Sequence, residues 1–338
     1  MAGDPPHRTD RINGTVPDRL ASAGAPPVLA TRRFAPEVVA RLQERFALTL
    51  NDDDSLMDRA ALLAAIAGMH GAVVTPGDRI DAEFLDAGGQ SLAVVATLSV
   101  GLDHIDRVAA RARGVRIAYT PDVLTRATAE LAIAMMLSLL RRVTEGDRLI
   151  RARTPWVLSP GFMLGRSPTG LRFGCLGYGR IGREASRLAA MLGMEVVHTG
   201  RVVRGEPGEV PFDEFIEQSD VISIHCPLTP ETRHLIDADV LGRMKPDAVV
   251  INTSRGPVID ERALADALRD GVIGGAALDV FEHEPVVDPG LLDCENAVLV
   301  PHLGSATHET RTAMGMLCCD ALETVLLGVG AATNFVPG

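Results

Sequence analysis

Lysine is nearly absent. Lys245 stands alone among 33 basic residues, the rest being arginine, a bias read as genome composition rather than function. The formal net charge is −11 and no basic stripe stands out, which argues against nucleic acid as a main partner. Cysteine is scarce: Cys175, Cys226, Cys294, Cys318 and Cys319 form no CxxC pair and leave an odd count. A disulfide framework is therefore not expected, and a reduced, cytoplasmic setting is the simplest reading. No His/Cys/Asp/Glu grouping has metal-ligand spacing, so no metal is expected. No G-x-S-x-G elbow follows a strand, which removes a nucleophilic serine triad. Long apolar runs are missing too. The most apolar segment, Leu131 to Leu140, is ten residues long between Glu130 and Arg141, too short to cross a bilayer. Residues 1–27 have no apolar core, so they read as a disordered leader rather than a signal peptide or anchor.

What remains is 338 residues, 46% hydrophobic and 23% charged, enough for two soluble domains with proper cores. From Val28 onward, β-rich runs alternate with helical patterns. Strands are expected at Val28–Ala30, Ala47–Leu50, Ala72–Thr75, Ala93–Leu98 and Val115–Tyr119. Helices are expected at Pro36–Arg45, Leu56–Ala67, Asp81–Ala87 and His104–Arg111. One long helix is predicted from about Asp122 to Arg151, a connector between two lobes. Six more strands follow, starting at Phe173, Glu195, Val221, Ala248, Ala276 and Val298, and a last helix covers about His308 to Leu327. Such alternation implies α/β architecture with mostly parallel sheets.

The run Phe173-Gly-Cys-Leu-Gly-Tyr-Gly-Arg-Ile-Gly182 places Gly177-x-Gly179-x-x-Gly182 between a strand and a helix. The first glycine suits a tight turn, the second a close approach to pyrophosphate, and the third close helix–strand packing. Ligands of doubly wound sheets lie beyond the carboxyl ends of the strands. There the chain carries Thr253, Ser254, Arg255 and Gly256, then Asp279, Glu282 and Glu284, then Pro301, His302 and Gly304. An arginine can clamp a carboxylate with two hydrogen bonds, and an imidazolium can protonate a carbonyl as hydride arrives. Taken singly, His302 is equally a turn residue, Arg255 a surface ion pair and Glu284 a solvated loop acid. Together they point to reduction of a 2-keto acid. His225 ends a strand just before Pro227 and reads as cofactor wall.

An NAD site places an acid some 20 residues beyond the glycines to bond the ribose 2′-OH. In this sequence Gly200 takes that place, followed by Arg201 and Arg204. A carboxylate would repel a 2′-phosphate and an arginine binds it, so NADP(H) is the expected cofactor, with NAD(H) possible.

The stretches Ser99–Asp106, Gly177–Gly182, His225–Thr229, Asn252–Gly256, Leu278–Glu282 with Glu284-Pro285, and Pro301–Thr307 resemble the D-isomer-specific 2-hydroxyacid dehydrogenases. The resemblance runs from about Val28 to the C-terminus. It implies two doubly wound domains: a Rossmann NAD(P)-binding domain, 122–304, inserted in a flavodoxin-like substrate domain, 28–121 and 305–338. It also implies a homodimer joined through the coenzyme domains. Carried over, the substrate-binding arginine falls on Arg255, the acid/base on His302 and its paired carboxylate on Glu284. Val100 and Gly101 N–H groups would hold the substrate carboxylate with Arg255. Asp279 would bond the nicotinamide carboxamide, and Cys226 and Pro227 would wall the adenosine side. Tyr178, Arg180, Ile181, Thr232, Thr253, Ser254, Arg255, His302 and Gly304 complete the implied cofactor contacts. Within the family, Tyr119–Thr125, Ala127–Glu130 and Pro301–Glu309 are most similar to glyoxylate/hydroxypyruvate reductases, implying a small 2-keto acid as partner. Arg126 departs from the usual acid, and Thr154–Ser159 and Val202–Val210 are short. Two alternatives stay open: a dehydrogenase of larger D-2-hydroxy acids, phosphonate or phosphoglycerate, and a nucleotide-sensing, corepressor-like binding protein.

Overall fold

The computed structural model describes residues 24–201 and 205–337. Arg204 and nearly all of the expected leader lie outside the described residues. By its contacts the chain divides into a first unit, Met1–Thr120 with Gly315–Gly338, and a second, Pro121–Met314. The second boundary thus falls inside the last helix, ten residues beyond the 305 expected from the sequence.

The first unit holds β1 (Pro27–Ala30), β2 (Ala47–Leu50), β3 (Gly71–Val74), β4 (Val94–Thr97) and β5 (Arg116–Ala118). They form one parallel sheet in the order β2-β1-β3-β4-β5, the flavodoxin-like arrangement. Helices α1 (Pro36–Arg45), α2 (Arg59–Ile66), α3 (Ala82–Gly88) and α4 (Arg107–Ala112) connect the strands. β3 and β4 are buried at every position, as their unbroken Gly/Ala/Val/Thr runs require in a sheet covered on both faces. Asp58, Asp81 and Asp106 cap α2, α3 and α4, each accepting an N–H of the first turn.

The second unit begins with α5 (Thr125–Leu140) and α6 (Val143–Arg151). The single long helix predicted over 122–151 is therefore broken. The carbonyl of Leu140, which would continue the helix, instead accepts the N–H of Arg166 at 2.8 Å. Arg142 takes the left-handed region at φ 56°, and its guanidinium pairs with Glu145 at 2.6 and 2.7 Å. Then follow β6 (Arg172–Leu176), α7 (Arg180–Met191), β7 (Glu195–Thr199), α8 (Phe212–Gln218), β8 (Val221–Ile224), α9 (Ala238–Arg243) and β9 (Val249–Asn252). The unit closes with α10 (Glu261–Arg269), β10 (Gly275–Leu278), α11 (Pro289–Leu292), β11 (Ala297–Leu299) and the start of α12 (His308–Leu326). The six strands are parallel in the order β11-β10-β9-β8-β6-β7. A parallel bridge from His198 to Glu209 extends the sheet beyond β7. With that bridge counted as the third strand, this is the Rossmann order, and it reverses direction between β6 and β8, beside the glycine turn.

Two helical glycines differ in what surrounds them. A Cβ on Gly315, in α12, would lie 2.5 Å from Cγ2 of Val38 on α1, whereas a Cβ on Gly242, in α9, would meet nothing within 4 Å. Gly315→Leu is expected to destabilise the fold by about 1–3 kcal/mol through overpacking. Gly242→Ala is expected to stabilise it by roughly 0.5–1 kcal/mol through helix propensity. Denaturant melts of the two variants check both signs.

Candidate active site

At the end of β6 the three glycines have three separate jobs. Gly177 sits at φ +96°, and a Cβ there would lie 2.6 Å from the backbone nitrogen of Cys226. The turn therefore closes only with glycine, and it seats the Cys226–Pro227 segment against the loop. A Cβ on Gly182 would collide with the Gly177 carbonyl and lie 2.7 Å from Sγ of Cys175, so α7 rests directly on the turn. Among the described residues a Cβ on Gly179 would meet nothing within 4 Å, and no side chain caps the helix that starts at Arg180. Its first N–H groups are thus left for an anion such as a pyrophosphate. Nearby, Thr253 Oγ1 is buried with no hydrogen-bond partner among the described residues. These features fit a dinucleotide cofactor.

After β9 the chain turns under the control of Asn252. Its Oδ1 accepts from the Ser254 N–H and hydroxyl, both at 2.9 Å, and its Nδ2 donates to the Arg255 carbonyl at 3.0 Å. Arg255 is half-buried, and its Nη1 donates to the Ser254 carbonyl at 2.8 Å. A Cβ on the next residue, Gly256, would overlap the backbone of Phe281 and Glu282. That close approach brings the Arg255 loop against the loop that carries Glu284.

Asp279, just past β10 and fully buried, organises the next turn. Its carbonyl accepts the N–H of His302 at 2.9 Å, and its carboxylate accepts those of Leu303 and Gly304, the latter at 2.8 Å. Thr128 donates to the Gly304 carbonyl at 3.0 Å from α5. Held in this way, His302 adopts φ 53°, a conformation that histidine tolerates better than most residues. Its Nδ1 lies 2.8 Å from Oε2 of Glu284. Burial raises the Asp279 carboxyl above its ordinary value, against the opposing pull of the Leu303 N–H, His302 and the Gly304 N–H. Burial also pushes Glu284 upward, but the hydrogen bond and charge of His302, the Phe281 N–H and Arg255 outweigh it and hold that carboxyl low.

Arg255, Glu284 and His302 thus stand at the carboxyl edge of one sheet with the glycine turn. His225 takes no part as an acid: burial lowers it to about 4, and its Nε2 lies 2.8 Å from Ser223 Oγ. Thr232 ties its own loop, donating to the Pro227 carbonyl at 2.7 Å. Gly200 and Arg201 are exposed beyond β7. Val100 and Gly101 belong to the first unit, in the turn after β4, where Ser99 Oγ donates to the Gly101 carbonyl at 2.6 Å. Sequence reasoning missed the cluster behind Glu284. There Glu282 pairs with Arg233 at 3.0 Å and His234 at 2.7 Å, and its N–H goes to Glu261. It also missed Glu206, which pairs with Arg183 at 2.6 Å. Glu282 follows a strand but its partners are distant in the chain, and Glu206 lies beyond a strand end, so spacing gave no signal for either pairing. No cluster of metal ligands occurs among the described residues.

The model of the D-isomer specific 2-hydroxyacid dehydrogenase NAD-binding domain matches residues 133–304. A glyoxylate reductase of Korarchaeum cryptofilum is 39% identical, over 88% of this chain and 92% of its own. The glyoxylate reductase/hydroxypyruvate reductase of Homo sapiens is 38% identical, over 82% and 87%. The NADPH-dependent glyoxylate/hydroxypyruvate reductase of Sinorhizobium meliloti, solved with NADP and malonate, superposes with a TM-score of 0.79 at 34% identity, covering 92% of this chain and 96% of that one. With the glycine turn, the Arg255 loop and the His302–Glu284 pair all on one sheet edge, the chain belongs to the D-isomer specific 2-hydroxyacid dehydrogenase family.

Proposed function

We propose that this protein is a cytoplasmic, NADPH-preferring reductase of glyoxylate or hydroxypyruvate that gives the D-hydroxy acid where a stereocentre forms. The observation that carries the reading is the 2.8 Å contact between His302 Nδ1 and Glu284 Oε2 beside the Arg255 loop. With Nδ1 engaged by a carboxylate, Nε2 is the atom left to give a proton to the substrate carbonyl oxygen. The carboxylate also fixes the orientation of the ring. Arg255 clamps the substrate carboxylate. The nicotinamide, when bound, contributes hydride chemistry. Gly177 to Gly182 would hold its pyrophosphate, and Thr253 Oγ1, Asp279 and Gly304 its nicotinamide end. The relatives named as reductases of these two acids support the substrate class. A homodimer through the second unit belongs to the same reading. Its support is exposed apolar surface on that unit, with Val157 and Leu158 at 77% and 85%. Among the described residues no helix is long and apolar enough to cross a membrane.

His302→Ala should lower kcat by roughly 10²- to 10⁴-fold, the usual contribution of a general acid, while cofactor binding persists. Unchanged turnover would remove His302 from the mechanism. Glu284→Gln should lower kcat by about tenfold or more while cofactor binding persists, because the amide orients the imidazole less firmly. The Glu284 carboxyl lies below its ordinary value. Its bond to His302 should therefore contribute in full above the ordinary carboxylate range and lose that contribution progressively as pH falls through that range to the lowered value, which an acid titration of folding measures.

The cofactor preference rests on Gly200 in place of an acid and on the exposed Arg201 beside it. Isothermal titration should give tighter binding of NADPH than of NADH, with Arg201→Ala narrowing the gap. Tighter NADH binding by the unmodified chain would contradict the preference.

A further inference from the structure

We propose that Arg183 is a second cation reading the adenosine 2′-phosphate and that Glu206 tempers it; this deepens, and rests on, the NADP(H) reading above. Tyr178 stands between the first two glycines of the turn. Its ring stacks on His198 of β7, with centroids 3.7 Å apart and planes 4° apart. His198 is buried, with Nε2 3.2 Å from the Pro207 carbonyl, and its backbone bonds Gly208 and Val210. The glycine turn, β7 and the chain returning at 205–210 are therefore one packed cluster. Arg183, on the first turns of α7, lays its guanidinium carbon 4.3 Å from the centre of the Tyr178 ring and places Nη2 2.6 Å from Oε2 of Glu206.

The position is what gives the pair a function. The carboxyl end of the second Rossmann strand, here β7, is where the ribose 2′-substituent is read. An exposed Arg–Glu pair elsewhere would be ordinary surface chemistry. This one is anchored by an aromatic ring that belongs to the cofactor turn itself, and a guanidinium on a ring face keeps a fixed orientation. The Arg183 side chain is 48% exposed. Among the described residues its only hydrogen bond is the one from Nη2 to Glu206, which leaves further donors of the fork for an anion. A phosphate monoester carries nearly two charges at neutral pH, which favours a further cation beside Arg201. Glu206 competes for the same guanidinium, so the strength of this ion pair sets how strongly the phosphate is preferred.

Calorimetric titration of the full-length chain with adenosine 2′,5′-bisphosphate, 5′-AMP, NADPH and NADH tests this without turnover. Arg183→Gln is expected to weaken the bisphosphate and NADPH by about tenfold, as loss of a charge-assisted contact should, and to leave 5′-AMP and NADH within about twofold. Glu206→Gln is expected to tighten the two phosphorylated ligands alone. If the unmodified chain prefers the bisphosphate and Arg183→Gln keeps that preference, the role of Arg183 is overturned and the NADP(H) reading stands. Equal weakening of all four ligands would make Arg183 a support for the fold, which also overturns it. If the unmodified chain does not distinguish the bisphosphate from 5′-AMP, the NADP(H) reading falls, and Arg183 with it.

Discussion

Asp279 is the residue on which the geometry of this site depends. A fully buried carboxylate is costly unless it is hydrogen-bonded. Here it is satisfied by two successive backbone N–H groups, those of Leu303 and Gly304, while its own carbonyl takes the N–H of His302. Three consecutive residues are thereby fixed to the end of β10, and His302 is held in a left-handed conformation that an unconstrained loop would rarely keep. The imidazole is presented by backbone bonds before any side-chain contact is made.

The neighbouring loops are set by packing rather than charge. Gly256 lets the Arg255 turn lie against the backbone of Phe281 and Glu282, where any Cβ would intrude. Asn252 folds that turn onto its own strand end. The carboxylate of Glu284 then lies between opposing influences, burial against the charges of His302 and Arg255, and the charges prevail. That outcome keeps it ionised and able to orient the imidazole. A second histidine at the same edge, His225, is driven by burial to about 4 and meets Ser223 rather than a carboxylate.

Much of the arrangement is legible in the sequence because it follows from local rules. A glycine turn needs its three glycines, buried strands need unbroken apolar runs, and catalytic groups of a doubly wound sheet sit after strands, which is where Arg255, Glu284 and His302 were expected. What sequence alone did not give depends on contacts distant in the chain. The break at Arg142 arises because Arg166, 24 residues on, takes the carbonyl of Leu140, and the apolar periodicity on either side carries no trace of that. The service of Asp279 to Leu303 and Gly304 was hidden in the same way, since spacing marked it as a strand-end acid without naming its partners. Glu206 went unread because it lies beyond the strand end where an acid would be sought, and only folding returns it to Arg183.

The central claim is that a buried carboxylate builds the loop that presents the proton donor for a small 2-keto acid. It is tested most directly by single-turnover reduction of hydroxypyruvate with NADPH, comparing the unmodified chain with Asp279→Asn, which keeps the shape but replaces one acceptor by a donor. The account predicts rapid turnover by the unmodified chain. In the variant it predicts a loss of about tenfold or more in rate at saturating NADPH. No turnover by the unmodified chain, or an unchanged rate in the variant, would contradict it.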